Sequence, residues 1–182
     1  MQIFDRKEIF KGRVIALSLD EIVIGQQHVA MECIRHPGGA AVVPLLPDGS
    51  VVMIEQYRYA VGKTLWEIPA GRLEEGENPL ACAVRELEEE AGYKAVHMLK
   101  LADISSAPAY CSEIISIFLA TELLPGSQQL DGDEFIRVVT LPIEDALHKV
   151  QTAGVSDAKT LVGLLLARQY TASSGLTDHG LG

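Results

Sequence analysis

"GRLEEGENPLACAVRELEEEAGY", residues 71–93, carries the clearest helix signals in the chain, because both ends of a helix are marked in it. Asn78 suits the N-cap, Pro79 suits the first helical turn, and Gly92 is typical of the position that ends a helix. The apolar residues between them recur at helical spacing and are Leu80, Ala83, Val84, Leu87 and Ala91. The stretch therefore predicts an amphipathic helix between Asn78 and Gly92.

Three glutamates are crowded onto one face of this predicted helix. Glu86, Glu89 and Glu90 stand at positions i, i+3 and i+4, so their side chains lie together beside the apolar stripe. Like charges at this spacing destabilise an isolated helix by about 0.2–0.5 kcal/mol per pair, and negative charge in the last turn also opposes the helix dipole. A solvated acidic face and a site for a hard cation such as Mg²⁺ are both consistent with the crowding.

The rest of the chain predicts one domain of the mixed α/β class. Strand-like segments are 12–24 with a turn at 19–21, 28–35, 38–46, 51–59, 95–104, 113–123 and 135–141. Asp48 and Gly49 predict a hairpin turn between two of these strands. Helical patterns follow at 142–154 and 157–170, and the second has core candidates in Leu161, Leu164 and Leu165. Sheets covered by helices accommodate this order of elements.

Composition and charge exclude several classes of partner. The 182-residue chain has a net charge of -10, a pI near 4.9 and no basic stripe, so a nucleic-acid partner is not expected.

Its 3 cysteines are far apart and form neither a disulfide framework nor a zinc motif, which favours a reducing cytoplasm. Because the sequence shows no signal-peptide pattern and no apolar run of membrane-spanning length, we expect neither export nor a membrane.

Residues 71–93 also match a known motif in both residue type and spacing. The stretch closely resembles the Nudix box of the Nudix hydrolases at all nine constrained positions. The matching residues are Gly71, Glu77, Arg85, Glu86, Leu87, Glu89, Glu90, Gly92 and Tyr93. A match of this length at fixed spacing is far more specific than a lone glycine pattern.

The resemblance implies a fold and a division of the chain. Nudix hydrolases carry the box as a loop and helix in an α/β/α sandwich with a mixed sheet, and this chain would add an N-terminal β-hairpin. The implied boundaries are 1–36 for the hairpin region, 37–171 for the Nudix domain and 172–182 for a loose C-terminal tail. Relatives often dimerise through such a hairpin, so a homodimer is expected by analogy.

A divalent-metal site is a second implication of the resemblance. The expected ion is Mg²⁺, with Mn²⁺ as an alternative. By position in the box, Glu86, Glu89 and Glu90 would bind the metal, together with the backbone carbonyl of Ala70. The cation would relieve the repulsion between the crowded glutamates.

The catalytic set implied by the resemblance extends beyond the metal ligands. Arg85 would orient the carboxylates through an ion pair, with Glu77 as its expected partner, and Glu89 belongs to the same set. Glu134 lies where relatives carry a loop glutamate that helps to activate water. The aspartates of the 131–134 loop are alternatives for that role.

The implied substrate comes from the resemblance of "EQYRYAVGKTLWEIPAG", residues 55–71, and of Pro108 to the ADP-ribose pyrophosphatase branch. Arg58 would contact substrate phosphate or ribose, and Glu67 and Glu113 are further substrate-binding candidates. Candidates to stack the base are Phe4, Tyr57, Tyr59 and Trp66.

The implied reaction is hydrolysis of the pyrophosphate of ADP-ribose, or of a related nucleoside diphosphate sugar, to AMP (NMP) and a sugar phosphate. The box reads the diphosphate and not the base, so another nucleoside diphosphate such as GDP-mannose is an alternative substrate. A module that binds ADP-ribose without cleaving it is an alternative function.

Overall fold

The computed structural model describes residues 2–130, 132 and 135–174, which form strands and helices in the order expected of a mixed α/β protein. The elements are β1 (Gln2–Lys11), β2 (Ala16–Ile24), β3 (Gln27–Arg35), β4 (Gly39–Pro44), β5 (Ser50–Arg58), β6 (Lys63–Glu67), β7 (Ala70–Arg72), α1 (Pro79–Ala91), β8 (Tyr93–Ser105), β9 (Ile114–Pro125), β10 (Ile136–Pro142), α2 (Ile143–Thr152) and α3 (Ala158–Ser174).

The helix predicted between Asn78 and Gly92 is confirmed as α1. The Asn78 side chain accepts a hydrogen bond from the Ala81 N–H at 2.9 Å, and a proline opens the helix. Gly92 ends it at φ 74°, in the left-handed region that glycine adopts without strain, and its N–H donates to the Glu88 carbonyl at 2.9 Å. These two caps fix the length of the helix that presents the glutamates.

Two sheets form the body of the domain. The first has the strand order β7-β4-β9-β8, in which β4 and β9 are parallel and the other neighbours are antiparallel. The second has the order β10-β5-β6 and is antiparallel throughout. The predicted mixed sheet is therefore confirmed.

Helices cover both faces of the central strands. Because side chains alternate along a strand, Ala40 and Val42 of β4 lie in one apolar cluster with Leu87 of α1. Ala41 and Val43 lie in a second cluster with residues of α2 and α3. This layering confirms the predicted α/β/α sandwich.

The N-terminal extension is a separate antiparallel sheet of order β1-β2-β3, one strand more than the predicted hairpin. The turn predicted at 19–21 is wrong, because β2 continues through these residues and the chain turns only at Gly25. Asp20 lies inside the strand because Arg6 and Arg35 donate to it from the neighbouring strands, at 2.9 Å and 2.5 Å. The hydrogen bond from Arg6 lowers the pKa of Asp20 to about 2.

The last helix differs from its prediction in two respects. Helix α3 continues to Ser174, four residues beyond its predicted end at residue 170 and into the first residues of the predicted tail; the rest of that tail lies outside the described residues. Leu164 is fully buried and Leu161 packs against the core, but Leu165 is 36% exposed and its prediction as a core residue is wrong. None of the helices in the described residues is both long enough and apolar enough to span a bilayer.

Candidate active site

Arg85 lies at the centre of the acidic face of α1. Its Nε and Nη2 donate to the two carboxylate oxygens of Glu77, each at 3.0 Å. Its Nη1 donates to Glu86 at 2.6 Å and to Glu89 at 2.9 Å. The hydrogen bond with Glu77, reinforced by the other two carboxylates, raises the pKa of Arg85 above its ordinary value. The ion pair expected between Arg85 and Glu77 is present, and the same guanidinium also holds two of the crowded glutamates.

Strand β7 meets helix α1 at two carboxylates. A Cβ atom at Gly71 would lie 1.7 Å from Glu86 Oε1, so the absence of a side chain at Gly71 lets this carboxylate lie against the strand. The Ala70 N–H donates to Glu90 Oε2 at 2.7 Å. Glu86 and Glu90 are 8% and 2% exposed. Two buried acidic groups are therefore held at the backbone of the loop that precedes the helix.

The donor set at this junction fits a hard divalent cation. Carboxylate and carbonyl oxygens are the ligands that Mg²⁺ prefers, and Glu86, Glu90 and the Ala70 backbone supply them within one small region. In the described part of the chain, no three side chains of His, Cys, Asp or Glu already form a group that could hold a metal. Glu86 and Glu89 are instead both paired with Arg85. The assignment of the metal ligands stays a prediction.

A cavity of about 440 Å³ opens beside the junction of β7 and α1. Ala70 and Gly71 belong to its wall, so the cavity and the acidic cluster share an edge. Titratable side chains of the wall include His36, Arg58, Glu67, Glu113, Asp157 and Lys159. The structure therefore brings the three residues predicted to bind substrate into one cavity.

Arg58 and Glu67 form a bidentate pair in the cavity wall. Arg58 Nε and Nη2 each donate to a different oxygen of Glu67 at 2.7 Å, and Lys159 Nζ donates to the second of these oxygens at 2.5 Å. Burial raises the pKa of Glu67, but the hydrogen bond from Arg58 and the charges of Lys159 and Arg58 outweigh it and hold that pKa below its ordinary value. Glu67 is therefore ionised. Its charge is held by Arg58 and Lys159, which both lie in the cavity wall.

Comparison with known protein families identifies the family of this chain. The family model of the NUDIX domain matches residues 35–162. The chain belongs to the Nudix family. An ADP-ribose pyrophosphatase of Bacillus subtilis (strain 168) is 40% identical over 158 residues, which are 85% of each chain. A GDP-mannose pyrophosphatase of Yersinia pestis (strain Pestoides F) is 37% identical over 142 residues, which are 72% of this chain and 71% of the relative. The crystal structure of an ADP compounds hydrolase shows the same fold, with a TM-score of 0.83, 21% identity and coverage of 96% of each chain.

Some predicted members of this Nudix site do not lie in the cavity as the described residues form it. Within the described residues, none of the four candidates for base stacking belongs to the cavity wall. These candidates are Phe4, Tyr57, Tyr59 and Trp66. Tyr59 is 91% exposed, and Trp66 packs beneath Lys149, whose Nζ lies 4.8 Å from the ring centre. Glu134 and the aspartates of its loop lie outside the described residues.

The cavity wall also contains residues that the sequence did not predict. His36 lines the cavity, and its Nδ1 lies 3.3 Å from Glu113 Oε1. Lys159 and Asp157 also line it, although the sequence indicated only a closing helix there. One signal was available for Lys159, because a cation in the first turn of a helix opposes the helix dipole and so calls for an acidic partner.

Proposed function

We propose that this chain is a divalent-metal-dependent hydrolase that cleaves the pyrophosphate of ADP-ribose, or of a related nucleoside diphosphate sugar, to AMP (NMP) and a sugar phosphate. The observation that carries the proposal is the shared edge between the acidic cluster and the cavity, where Ala70 and Gly71 contribute to both. A diphosphate bound at this edge would lie between the carboxylates of α1 and the guanidinium of Arg58. The ADP-ribose pyrophosphatase relative at 40% identity supports the same reading.

The proposed metal is Mg²⁺, with Mn²⁺ as an alternative. Glu86, Glu89, Glu90 and the Ala70 carbonyl would hold it, because they supply hard oxygen ligands beside the cavity. Such an ion contributes positive charge against phosphate oxygens and lowers the pKa of bound water. Arg85 would orient two of these carboxylates through its hydrogen bonds to Glu86 and Glu89.

The chain's own side chains would orient the substrate and move the proton. Arg58 would bind a phosphate oxygen or the ribose, and Glu67 would hold that guanidinium in place. Glu113 would also bind the substrate, from its place in the cavity wall next to His36. Glu134 would accept the proton from the attacking water, with an aspartate of its loop as the alternative base.

A second candidate substrate is another nucleoside diphosphate such as GDP-mannose. The observation that favours it is the relative named GDP-mannose pyrophosphatase, at 37% identity. The third alternative is a module that binds ADP-ribose without cleaving it. Such a module has no need of Arg85 and three carboxylates beside the cavity, so the site favours hydrolysis.

A substrate panel tests the proposal directly. The purified chain is incubated with Mg²⁺ and ADP-ribose, GDP-mannose or other nucleoside diphosphate sugars, and the released nucleotide is measured. We expect ADP-ribose to be among the best substrates and both Glu86→Gln and Glu90→Gln to lose most activity. Glu88→Gln is the matched control, because Glu88 pairs with Lys94 and not with Arg85. Full activity in both box variants, or no turnover of any diphosphate, would contradict the proposal.

We also propose a homodimer formed through the N-terminal sheet. Apolar side chains of β1 are exposed on this sheet, with Phe4 at 69% and Phe10 at 56%, and exposed apolar patches mark interaction surfaces. Light scattering should give twice the chain mass of 19.7 kDa. The double variant Phe4→Ser, Phe10→Ser should have the mass of one chain. A monomeric parent protein would contradict the dimer.

The proposed location is the cytoplasm. Cys33, Cys82 and Cys111 are thiols and form no disulfide, which suits a reducing compartment. Burial raises the pKa of Cys82 to about 12, so this thiol resists oxidation and serves as packing. Fractionation of cells that produce the chain would test the location, and recovery outside the cytoplasm would contradict it.

A further inference from the structure

Lys159 is a buried cation in the cavity wall that the proposed reaction leaves without a role. It lies in the first turn of α3 and is 8% exposed. Its Nζ lies 2.5 Å from Glu67 Oε2 and 3.0 Å from Asp157 Oδ2. A cation here opposes the helix dipole, and burial of an ammonium is unfavourable unless acidic groups compensate it. The two carboxylates therefore account for the lysine, whereas helix formation and core packing do not.

The backbone that carries Lys159 is fixed against the loop preceding the acidic helix. Asp157 caps α3, since its Oδ2 accepts hydrogen bonds from the Thr160 N–H at 3.0 Å and from the Thr160 hydroxyl at 2.6 Å. The same hydroxyl oxygen accepts a hydrogen bond from the Ile68 N–H at 2.9 Å. Ile68 directly follows Glu67, so the start of α3 and the Glu67 carboxylate are held at a fixed distance.

Glu67 is shared between two cations of different kinds. It is 1% exposed, and Arg58 binds it through one edge of the guanidinium. A guanidinium has further N–H groups beyond that edge, and the Arg58 side chain is 37% exposed in the cavity wall. A substrate diphosphate bound to Arg58 would therefore share this guanidinium with Glu67, and the two anions would repel each other.

We propose that Lys159 is a positioning residue for substrate binding, because its ammonium neutralises Glu67 and so leaves the charge of Arg58 to the substrate diphosphate. The inference rests on the proposed function, in which Arg58 binds the diphosphate. Lys159 acts through Glu67 and does not itself contact the substrate. Its loss should therefore weaken substrate binding more than the chemical step.

Three substitutions of Lys159 separate its charge from its packing. Lys159→Met and Lys159→Gln remove the charge at similar length, and Lys159→Arg retains it. We expect the KM for ADP-ribose to rise about tenfold or more in the two neutral variants, as for the loss of one charged hydrogen bond. The kcat should stay within about threefold, because the interaction serves bound substrate and transition state alike. Lys159→Arg should have a KM close to that of the parent protein.

A double-mutant cycle tests whether the effect passes through Glu67. In a Glu67→Gln background there is no carboxylate to neutralise, so Lys159→Met should produce no further rise in KM. Lys94→Met is the control, because Lys94 is an exposed lysine that pairs with Glu88 outside the cavity wall. Its kinetic constants should equal those of the parent protein. Thermal melting of every variant separates lost folding from lost binding.

The outcomes distinguish the inference from the proposed function. An undiminished rise in KM for Lys159→Met in the Glu67→Gln background would show that Lys159 contacts the substrate itself and would overturn the inference alone. An unchanged KM in both neutral variants would do the same, as would equal losses in Lys159→Arg and Lys159→Met that follow a lowered melting temperature. If the parent protein cleaves no nucleoside diphosphate compound, the proposed function fails and the inference fails with it.

Discussion

A methyl group added at Gly71 should disable the site without unfolding the protein. The Cβ of Gly71→Ala would lie 1.7 Å from Glu86 Oε1, 2.1 Å from its Cδ and 2.7 Å from Oε2. These are the atoms of a side-chain end, so the carboxylate must move away and the backbone can stay. The φ of Gly71 is not in the left-handed region, so alanine meets no backbone strain there.

The displacement sets the size of the expected effect. Ordinary van der Waals contact begins at 3.4 Å, and the added Cβ would lie 1.7 Å from Glu86 Oε1. This oxygen must therefore move away from the Cβ by at least 1.7 Å. A misplacement of about 1 Å in a catalytic group can cost about 10²-fold in rate. We therefore expect kcat/KM to fall by about 10²-fold or more, or about 2.7 kcal/mol of transition-state stabilisation.

Two measurements separate the site from the fold. Steady-state turnover of ADP-ribose at several Mg²⁺ concentrations gives kcat/KM, and Mn²⁺ binding followed by electron paramagnetic resonance reports metal affinity without substrate. We expect Mn²⁺ to bind about 10–100-fold more weakly in Gly71→Ala, with little change in melting temperature. Gly76→Ala is the matched control, because Gly76 has φ 78° and no atom within 4 Å of its added Cβ. It should lose about 1–2 kcal/mol of stability and keep its Mn²⁺ affinity.

Parent-like Mn²⁺ affinity or parent-like turnover in Gly71→Ala would contradict this prediction. Either result would mean that Glu86 does not need its position against β7 in order to act. A large fall in melting temperature would instead show that the methyl group disrupts packing, so that the clash is not confined to the carboxylate.

Three further predictions concern stability. Asn78→Ala removes the side-chain acceptor of the Ala81 N–H, held at 2.9 Å, and should lower the free energy of unfolding by about 1 kcal/mol in urea titration. Leu87→Ala empties a fully buried position and should cost about 2–5 kcal/mol in the same assay, whereas Leu80→Ala, at 45% exposed, should cost under about 0.5 kcal/mol. Because the pKa of Glu67 is lower in the folded state than in the unfolded state, its contribution to stability is present above the unfolded-state pKa and is lost as the pH falls through the folded-state pKa. Glu67→Gln should therefore lose less stability on acidification, and an identical pH profile would contradict this assignment.

The parts of the fold that the sequence predicted are those with local causes. The caps of α1 lie within the helix or next to it, so Asn78 and Gly92 could be assigned from the sequence alone. The failed turn at 19–21 has the opposite origin. An aspartate inside a strand normally indicates a turn, but Asp20 is held by Arg6 and Arg35 of the adjacent strands. The contacts that reverse the local preference come from residues 14 and 15 positions away.

The ion pairs of the candidate site also differ in how far apart their partners lie in the sequence. Arg85 and Glu77 belong to one short motif, and their ion pair was expected from the resemblance of that motif to the Nudix box. Lys159 could not be assigned in this way, because its partner Glu67 is 92 positions away in the chain. The sequence also did not single out a base-stacking residue among its four candidates, and none of the four belongs to the cavity wall as the described residues form it.

The ion pairs of Arg85 have a consequence for the order of folding and metal loading. This guanidinium already binds Glu77, Glu86 and Glu89, so much of the acidic repulsion in α1 is balanced by the chain itself. The helix therefore does not depend on a metal for its formation, unlike small zinc domains, in which binding and folding are one event. We therefore expect a protein stripped of divalent ions to stay folded and to regain its activity when the ions return.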